Sequence, residues 1–248
     1  DLRDLRMLLR HTESCLEEAL DAIPNLATLE SLSSVKGGSS GAFLYITHDQ
    51  CYVIKTITPR EKFVLLERAL SNYSERILSQ NSALVRILGV YQVQCIDNYC
   101  TNLVLMENVS SSENVRGRFD LKGSTHGRRT DLVKGVGKDC DFLDVVGKLT
   151  LTDQDKRKLL GRLELDGLVL SKLNLMDYSL FVTICKGKVA ESTQEHYVYQ
   201  STREVEFYLI ALIDILQEYN FDKKLETFFK GFVKRVPTTA LSSIEPGA

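Results

Sequence analysis

The sequence predicts an α/β (α+β) fold in two lobes, with antiparallel sheets and flanking helices. Three observations carry this. Short runs rich in β-branched and aromatic residues, among them AFLYIT (42–47), CYVIKTI (51–57) and NLVLMENV, crowd the first hundred residues. Helix-period stretches interrupt them. A basic, polar stretch after MENV then separates this set from a second one, so the chain divides into 1–107 and 108–248. At 248 residues, either one large domain or two lobes can bury an ample core.

In chain order, DLRDLRMLLRHTESCLEEAL places Leu2, Leu5, Leu9, Leu16 and Leu20 on one helical stripe. The domain's own core would cover that stripe, though it would equally serve a homodimer. SLSSVKGGSSGA breaks regularity. AFLYIT and CYVIKTI, joined by HDQ, read as a hairpin. Pro59 opens a helix to about Leu78, after which ALVRILGVYQVQ and NLVLMENV resume the strands. In the second lobe, Thr152 and Asp155 stand in capping-box spacing at the head of a long helix. Two strands, 178–184 and 204–216, complete it.

Composition narrows the function classes. The chain is 44% apolar and 26% charged with a formal net charge of −2, which gives no global attraction to nucleic acid. Charge is local instead. Residues 116–138 hold seven basic residues against two acids, and residues 222–235 hold five against two. Six cysteines occur without a CxxC pair or clustered histidines, as expected of reduced thiols in a cytoplasmic protein. No run approaches the ~20 apolar residues of a membrane span, and the opening does not read as a signal peptide. Membrane contact is therefore expected to be peripheral.

Two features carry chemistry in the first lobe. VKGGSSGA, with Gly38, Ser39, Ser40 and Gly41, offers small residues whose backbone N–H groups can approach a phosphate chain. It is not a Walker loop. In the hairpin, Lys55 shares a face with Val53 and Ile57, and a turn centred on Asp49 would set it across from Phe43, beside the glycine stretch. Glycine loop, hairpin and inward lysine together point to ATP phosphates held as in kinases. Either Glu61 or Glu67 on the following helix would be its acidic partner.

In the second lobe, LNLMDYSLFVTI and VEFYLIALIDILQEY each place one aspartate, Asp177 and Asp214, inside an apolar strand. A carboxylate is costly to bury without a partner. Asp214 would be stabilised by Mg²⁺ bound to nucleotide phosphates. Asp177 would accept or orient a substrate hydroxyl proton. The protein-kinase signatures HRD, DFG and APE are all absent.

FDLKGST (119–125), MDYSL (176–180) and IDIL (213–216) occur in that order, with GGSSGAFLYIT, YVIKTI, ILGVY, MENV, KDCDFL and DKKLE around them. With these, nearly the whole chain resembles the phosphatidylinositol phosphate kinase family, most closely its phosphatidylinositol 4-phosphate 5-kinase type. The resemblance implies a two-lobed lipid kinase fold, distantly similar to protein kinases, that uses ATP and Mg²⁺. It implies that Lys55 binds ATP phosphates, that Met106, Glu107, Asn108 and Val109 form the adenine hinge, that Asp177 is the catalytic aspartate and that Asp214 is the Mg²⁺ ligand. Lys122 would lie near the inositol headgroup or the transferred phosphate, with Arg128 and Arg129 adding charge. DKKLETFFKGFVKR matches the family's specificity loop, in which Lys223 and Lys224 would meet an anionic membrane and Phe228 and Phe229 would dip into it.

Glu226 in that loop accompanies the type acting on the 5-hydroxyl of phosphatidylinositol 4-phosphate. The branch acting on the 3-phosphate lipid shares ILGVY and DKKLE, and the 4-kinase branch tends to carry alanine there. The expected setting is the cytosolic face of a membrane, the plasma membrane first. An inactive membrane-binding scaffold would retain the basic surface and lose the nucleotide residues, yet Lys55, Asp177 and Asp214 are all present.

Overall fold

The run YVIKTI forms an inner strand of the sheet in the first half of the chain. A computed structural model describes residues 2–9, 11, 13–22, 24–25, 42–94, 100–110, 114–130, 135–189, 194–203 and 205–219. The chain forms two compact units, Asp1–Ser79 with Val85–Ser111, and Gln80–Leu84 with Ser112–Ala248. The division after Glu107 expected from sequence falls four residues short of that at Ser111. The reason is local: the Asn108 backbone N–H donates to Cys51 O at 2.9 Å and its Nδ2 to Gln50 O at 2.8 Å, tying the segment to the first unit's hairpin.

In the first unit, β1 (Leu44–Ile46), β2 (Tyr52–Ile57), β3 (Ile87–Gln94) and β4 (Cys100–Glu107) form one antiparallel sheet in the order β1-β2-β4-β3. The hairpin register differs by one residue from the sequence expectation, since Lys55 pairs with Leu44 rather than Phe43. Thr47 donates its N–H to Tyr52 O at 3.0 Å and Gln50 takes φ 61°, so the connection is a four-residue loop centred between Asp49 and Gln50. The helical segment after Pro59 runs as α3 (Pro59–Phe63), a π-helical stretch (Val64–Ala69) and α4 (Leu70–Leu78), the span that Pro59 and Leu78 bound in the sequence. Thr58 and Glu61 close a reciprocal capping box at its start.

The leucine stripe is covered within its own unit except at Leu20, which is exposed. Leu2, Leu5, Leu9 and Leu16, on and beside α1 (Leu2–Leu8) and α2 (Glu13–Ala19), are buried, and α1 packs against β3. Gly89 in β3 leaves room for the Tyr91 ring. A Cβ there would lie 2.7 Å from the Tyr91 ring, whose hydroxyl accepts a hydrogen bond from Arg6 Nη1 at 3.2 Å.

In the second unit, β5 (Val115–Leu121) is followed by α5 (Asp139–Val145), α6 (Asp153–Lys172), β6 (Leu175–Met176), β7 (Ser179–Lys186), β8 (Val198–Gln200), β9 (Glu206–Ile213) and β10 (Gln217–Glu218). The main sheet is antiparallel in the order β5-β7-β9-β8, and β6 pairs with β10 in a two-stranded ribbon. Period-2 alternation places Val182 and Ile184 beside their partners Ile210 and Tyr208 on one face, where they join Phe119, Phe142, Leu159 and Tyr199 in the core. Phe119 of β5 and Phe142 of α5 meet edge to face at 5.3 Å. Thr152 caps α6 by accepting the Asp155 N–H at 3.2 Å, as its spacing implied. Among the described residues no helix is long and apolar enough to cross a membrane.

Residues 80–84 are held by α6. Fully buried Asp166 accepts from Ser82 Oγ at 2.8 Å and from the Ala83 N–H at 2.7 Å, and Ala83 O accepts the Leu212 N–H at 2.7 Å. One turn earlier, Arg162 reaches Asn81 Oδ1 and Gln80 O. Replacing Asp166 with alanine leaves a buried N–H and hydroxyl without their acceptor. A destabilisation of about 3 kcal/mol is expected from denaturant midpoints; a loss below about 1 kcal/mol would contradict this account of the clamp.

Candidate active site

Register brings the candidate residues of the second unit to one end of its sheet. Leu121 pairs with Leu180 and Ser179 with Ile213, so the end of β5, the start of β7 and the end of β9 lie side by side. Lys122 follows β5, Asp177 stands two residues before β7, and Asp214 follows β9 directly. Neither aspartate is inside a strand, which corrects the sequence expectation. Both take left-handed backbone, with φ 58° at Asp177 and 59° at Asp214; the ribbon that pairs Met176 with Gln217 precedes the first and follows the second. Each aspartate thus sits where the chain passes between ribbon and sheet, in a conformation aspartate tolerates better than β-branched residues do. Asp214 is exposed rather than buried.

Lys122 Nζ lies 2.8 Å from Asp177 Oδ1, with the side chains 16% and 23% exposed. That oxygen is buried and has no aligned hydrogen bond, so the pair is a charge contact that leaves acceptor capacity on Asp177. Next to it, burial pushes the Tyr178 phenol above its ordinary range.

The loop carrying Lys122 turns at Gly123, φ 67°. Its backbone is gathered by a residue for which sequence reasoning assigned no role. Asp139 Oδ1 accepts the N–H groups of Lys122 at 3.0 Å, Gly123 at 2.8 Å and Ser124 at 3.3 Å. Arg128, expected to bind substrate, is instead buried between two carboxylates. Its Nε donates to Asp139 Oδ2 at 2.6 Å and its Nη2 to Asp120 Oδ1 at 3.0 Å and to the Asp120 carbonyl. Burial alone would lower the Arg128 pKa, but the two carboxylates outweigh it and hold the guanidinium above its ordinary range. Arg129 pairs with Asp144 on the exposed surface. The signal for Asp139 was its place in KDCDFL at the start of a helix; only the fold shows what it holds.

In the first unit, Lys55 is half-buried in β2 between Leu44 and Val104. Of its two expected partners, Glu61 accepts the Thr58 N–H at 2.7 Å in the capping box, and Glu67 is exposed in the π-helical stretch. Met106 and Glu107 end β4 as paired strand residues, and Asn108 and Val109 are buried after it. The Glu107 carboxylate points inward to His11 Nε2 at 2.7 Å and Arg86 Nη1 at 3.7 Å. Gly38, Ser39, Ser40, Gly41, Lys223, Lys224 and Glu226 lie outside the described residues.

Among the described residues no group of three His, Cys, Asp or Glu side chains forms a site able to hold a metal by itself. A single exposed carboxylate such as Asp214 suits Mg²⁺, which takes one or two protein carboxylates and completes its shell with phosphate oxygens and water.

The family model described as Phosphatidylinositol-4-phosphate 5-Kinase matches residues 25–206 and 186–248. The chain belongs to the phosphatidylinositol phosphate kinase family. It is 34% identical to phosphatidylinositol 4-phosphate 5-kinase 1 of Arabidopsis thaliana over 63% of this chain and 21% of that protein. It is 28% identical to the putative 1-phosphatidylinositol-3-phosphate 5-kinase FAB1D of Arabidopsis thaliana over 99% of this chain and 16% of that protein. A third relative, phosphatidylinositol 5-phosphate 4-kinase type-2 alpha of Sus scrofa, is 34% identical over 62% of this chain and 40% of that protein. The matched stretch thus spans 16–40% of the length of these family members.

The helix that bears Asp139 has its own anchor. Asp141 Oδ2 accepts from the Lys138 N–H at 2.9 Å, the Thr130 N–H at 3.0 Å and Thr130 Oγ1 at 2.7 Å. The Lys138 bond is the main cause that holds this carboxyl below its ordinary range; burial opposes it and the Thr130 bonds add to it. A depressed folded pKa contributes stability that is present above the unfolded value of about 4 and lost as pH falls through the folded one. Wild type is therefore expected to be more stable than Asp141→Asn at pH 6, with the gap closing below about pH 4 in denaturant titrations. A gap that widened in acid would contradict the assignment.

Proposed function

We propose that this chain is the catalytic region of a lipid kinase that transfers the ATP γ-phosphate to the 5-hydroxyl of phosphatidylinositol 4-phosphate, giving phosphatidylinositol 4,5-bisphosphate. The observation that carries the reading is the convergence of Lys122, Asp177 and Asp214 at one end of β5, β7 and β9, with Lys122 Nζ 2.8 Å from Asp177 Oδ1.

In this reading Asp177 orients the inositol hydroxyl and accepts its proton as the hydroxyl oxygen bonds to the γ-phosphorus. The bond from that phosphorus to the β,γ-bridging oxygen breaks, and ADP leaves with the electron pair. Lys122 faces the anionic groups that gather there, and its ammonium neutralises charge as the phosphoryl group moves. Lys55 binds ATP phosphates, Gly38, Ser39, Ser40 and Gly41 add backbone donors, and residues 106–109 hold the adenine. Mg²⁺, when bound at Asp214, supplies charge neutralisation on the phosphate oxygens. Rate enhancement then comes mainly from positioning and electrostatics.

The lipid side of the reading rests on residues 222–235, whose five basic residues against two acids suit an anionic membrane surface, each worth about 1 kcal/mol near such lipid. Glu226, by its resemblance to the 5-kinase type, favours transfer to the 5-hydroxyl over the 4-kinase action. Peripheral attachment to the cytosolic face of the plasma membrane follows from this substrate. A second reading, 5-kinase action on phosphatidylinositol 3-phosphate, is favoured by the relative of that name, which matches 99% of the chain.

An assay with the 3-, 4- and 5-monophosphate lipids in vesicles, resolving product isomers, tests both. The 4-phosphate lipid giving the 4,5-bisphosphate supports the first reading; the 3-phosphate lipid giving the 3,5-bisphosphate supports the second. Dominant 4-kinase action on the 5-phosphate lipid, or transfer to protein alone, rejects both. Asp177→Asn is expected to lower kcat about 10³-fold while ATP binding stays within about twofold. Full turnover in that variant would remove Asp177 from the reaction.

A further inference from the structure

The loop Lys122–Ser124 leaves β5 with three successive backbone N–H groups turned to one side, and a single carboxylate oxygen receives all of them. We infer that Asp139 is the positioning residue for Lys122: its carboxylate gathers this loop so that the Lys122 ammonium is delivered to Asp177. The catalytic meaning of this rests on the phosphoryl-transfer reading, whereas the geometry stands without it.

The carboxylate is used in full. Oδ1 takes the N–H groups of Lys122, Gly123 and Ser124 at 2.8–3.3 Å, and Oδ2 takes Arg128 Nε at 2.6 Å. Charge-assisted bonds of this kind are about twice as strong as neutral ones. Arg128 extends the brace backward by donating to the Asp120 carboxylate, so Asp120, Arg128 and Asp139 span the loop from the strand before it to the helix after it. Asp139 is itself held in place, because α5 is packed on β5 through Phe142 and Phe119 at 5.3 Å. A loop turning at φ 67° with its N–H groups unpaired would sample other conformations, and the Lys122 Nζ–Asp177 contact of 2.8 Å would be lost with it.

A purely structural Asp139 would support α5 without any dependence on Lys122, and four proteins separate the two roles: wild type, Asp139→Ala, Lys122→Met and the double variant. The first readout needs no turnover. It is the rate at which Lys122 is acylated by an amine-directed reagent, followed by mass spectrometry, and D139A is expected to raise it about tenfold as the ion pair opens. The second is kcat and ATP KM on phosphatidylinositol 4-phosphate vesicles. D139A is expected to lower kcat about 10²-fold with ATP KM within about twofold, and the double variant to fall no further than K122M.

Should D139A not fold, Asp139→Asn carries the same readouts with smaller shifts, since it retains an oxygen acceptor but no charge against Arg128. Unchanged Lys122 acylation, or kcat losses that multiply in the double variant, would overturn the inference. If wild type phosphorylates no phosphoinositide, the substrate reading fails by itself and the acylation arm still decides the role of Asp139.

Discussion

The backbone ladder that seats β7 between β5 and β9 is the constraint on which the second unit depends. Side chains alternate with a period of two, so a slip of one residue would move Val182 and Ile184 to the face where Cys185, Phe207 and Leu209 cluster and put Thr183 among Phe119, Ile210 and Tyr208. The same slip would separate Asp177 from Lys122 and Asp214, because those residues stand at the ends of the three strands. Core and candidate site are therefore not two problems with two solutions. The apolar face that stabilises the sheet is also the ruler that sets the charged end.

Much of this was legible in residue order, for identifiable reasons. Proline at 59 and the change of period marked the helical span to Leu78, and Thr152 with Asp155 marked the start of α6, because these signals act over a single turn. Strand existence followed from alternation. The position of the aspartates did not. MDYSL and IDIL read as strand residues, and nothing in a linear pattern shows that φ becomes positive at Asp177 and Asp214. The hairpin register was missed by one for a similar reason, since a loop of three and a loop of four differ only in how Gln50 turns. Asp139 was seen as part of a motif and not as a contact: its partners at 122–124 are some sixteen residues away and are brought to it by a strand and a helix packing together.

Charge offers a related lesson. The window 116–138 looks like a positive surface when its residues are counted, with seven basic residues against two acids. In the fold, Lys122 faces Asp177, Arg128 faces Asp120 and Asp139, and Arg129 faces Asp144. Three of the four acids lie outside the window. Part of the apparent field is therefore internal wiring, neutralised by carboxylates from β5, from α5 and from Asp177 ahead of β7. A basic run advertises a binding surface only after its partners elsewhere in the chain have been subtracted.

Residues 80–84 are bracketed in the chain by the first unit yet counted with the second, where Asp166 holds Ser82 and Ala83, and Ala83 holds Leu212. The second unit is consequently not a continuous stretch of polypeptide. No single cut releases it whole: a fragment beginning at Ser112 would lack the five residues that cover β9 two positions before Asp214. Synthesis of the chain must also leave residues 80–84 waiting until α6 and β9 have emerged. The two halves are interleaved in sequence, and inheritance or engineering that moves one must carry a piece of the other.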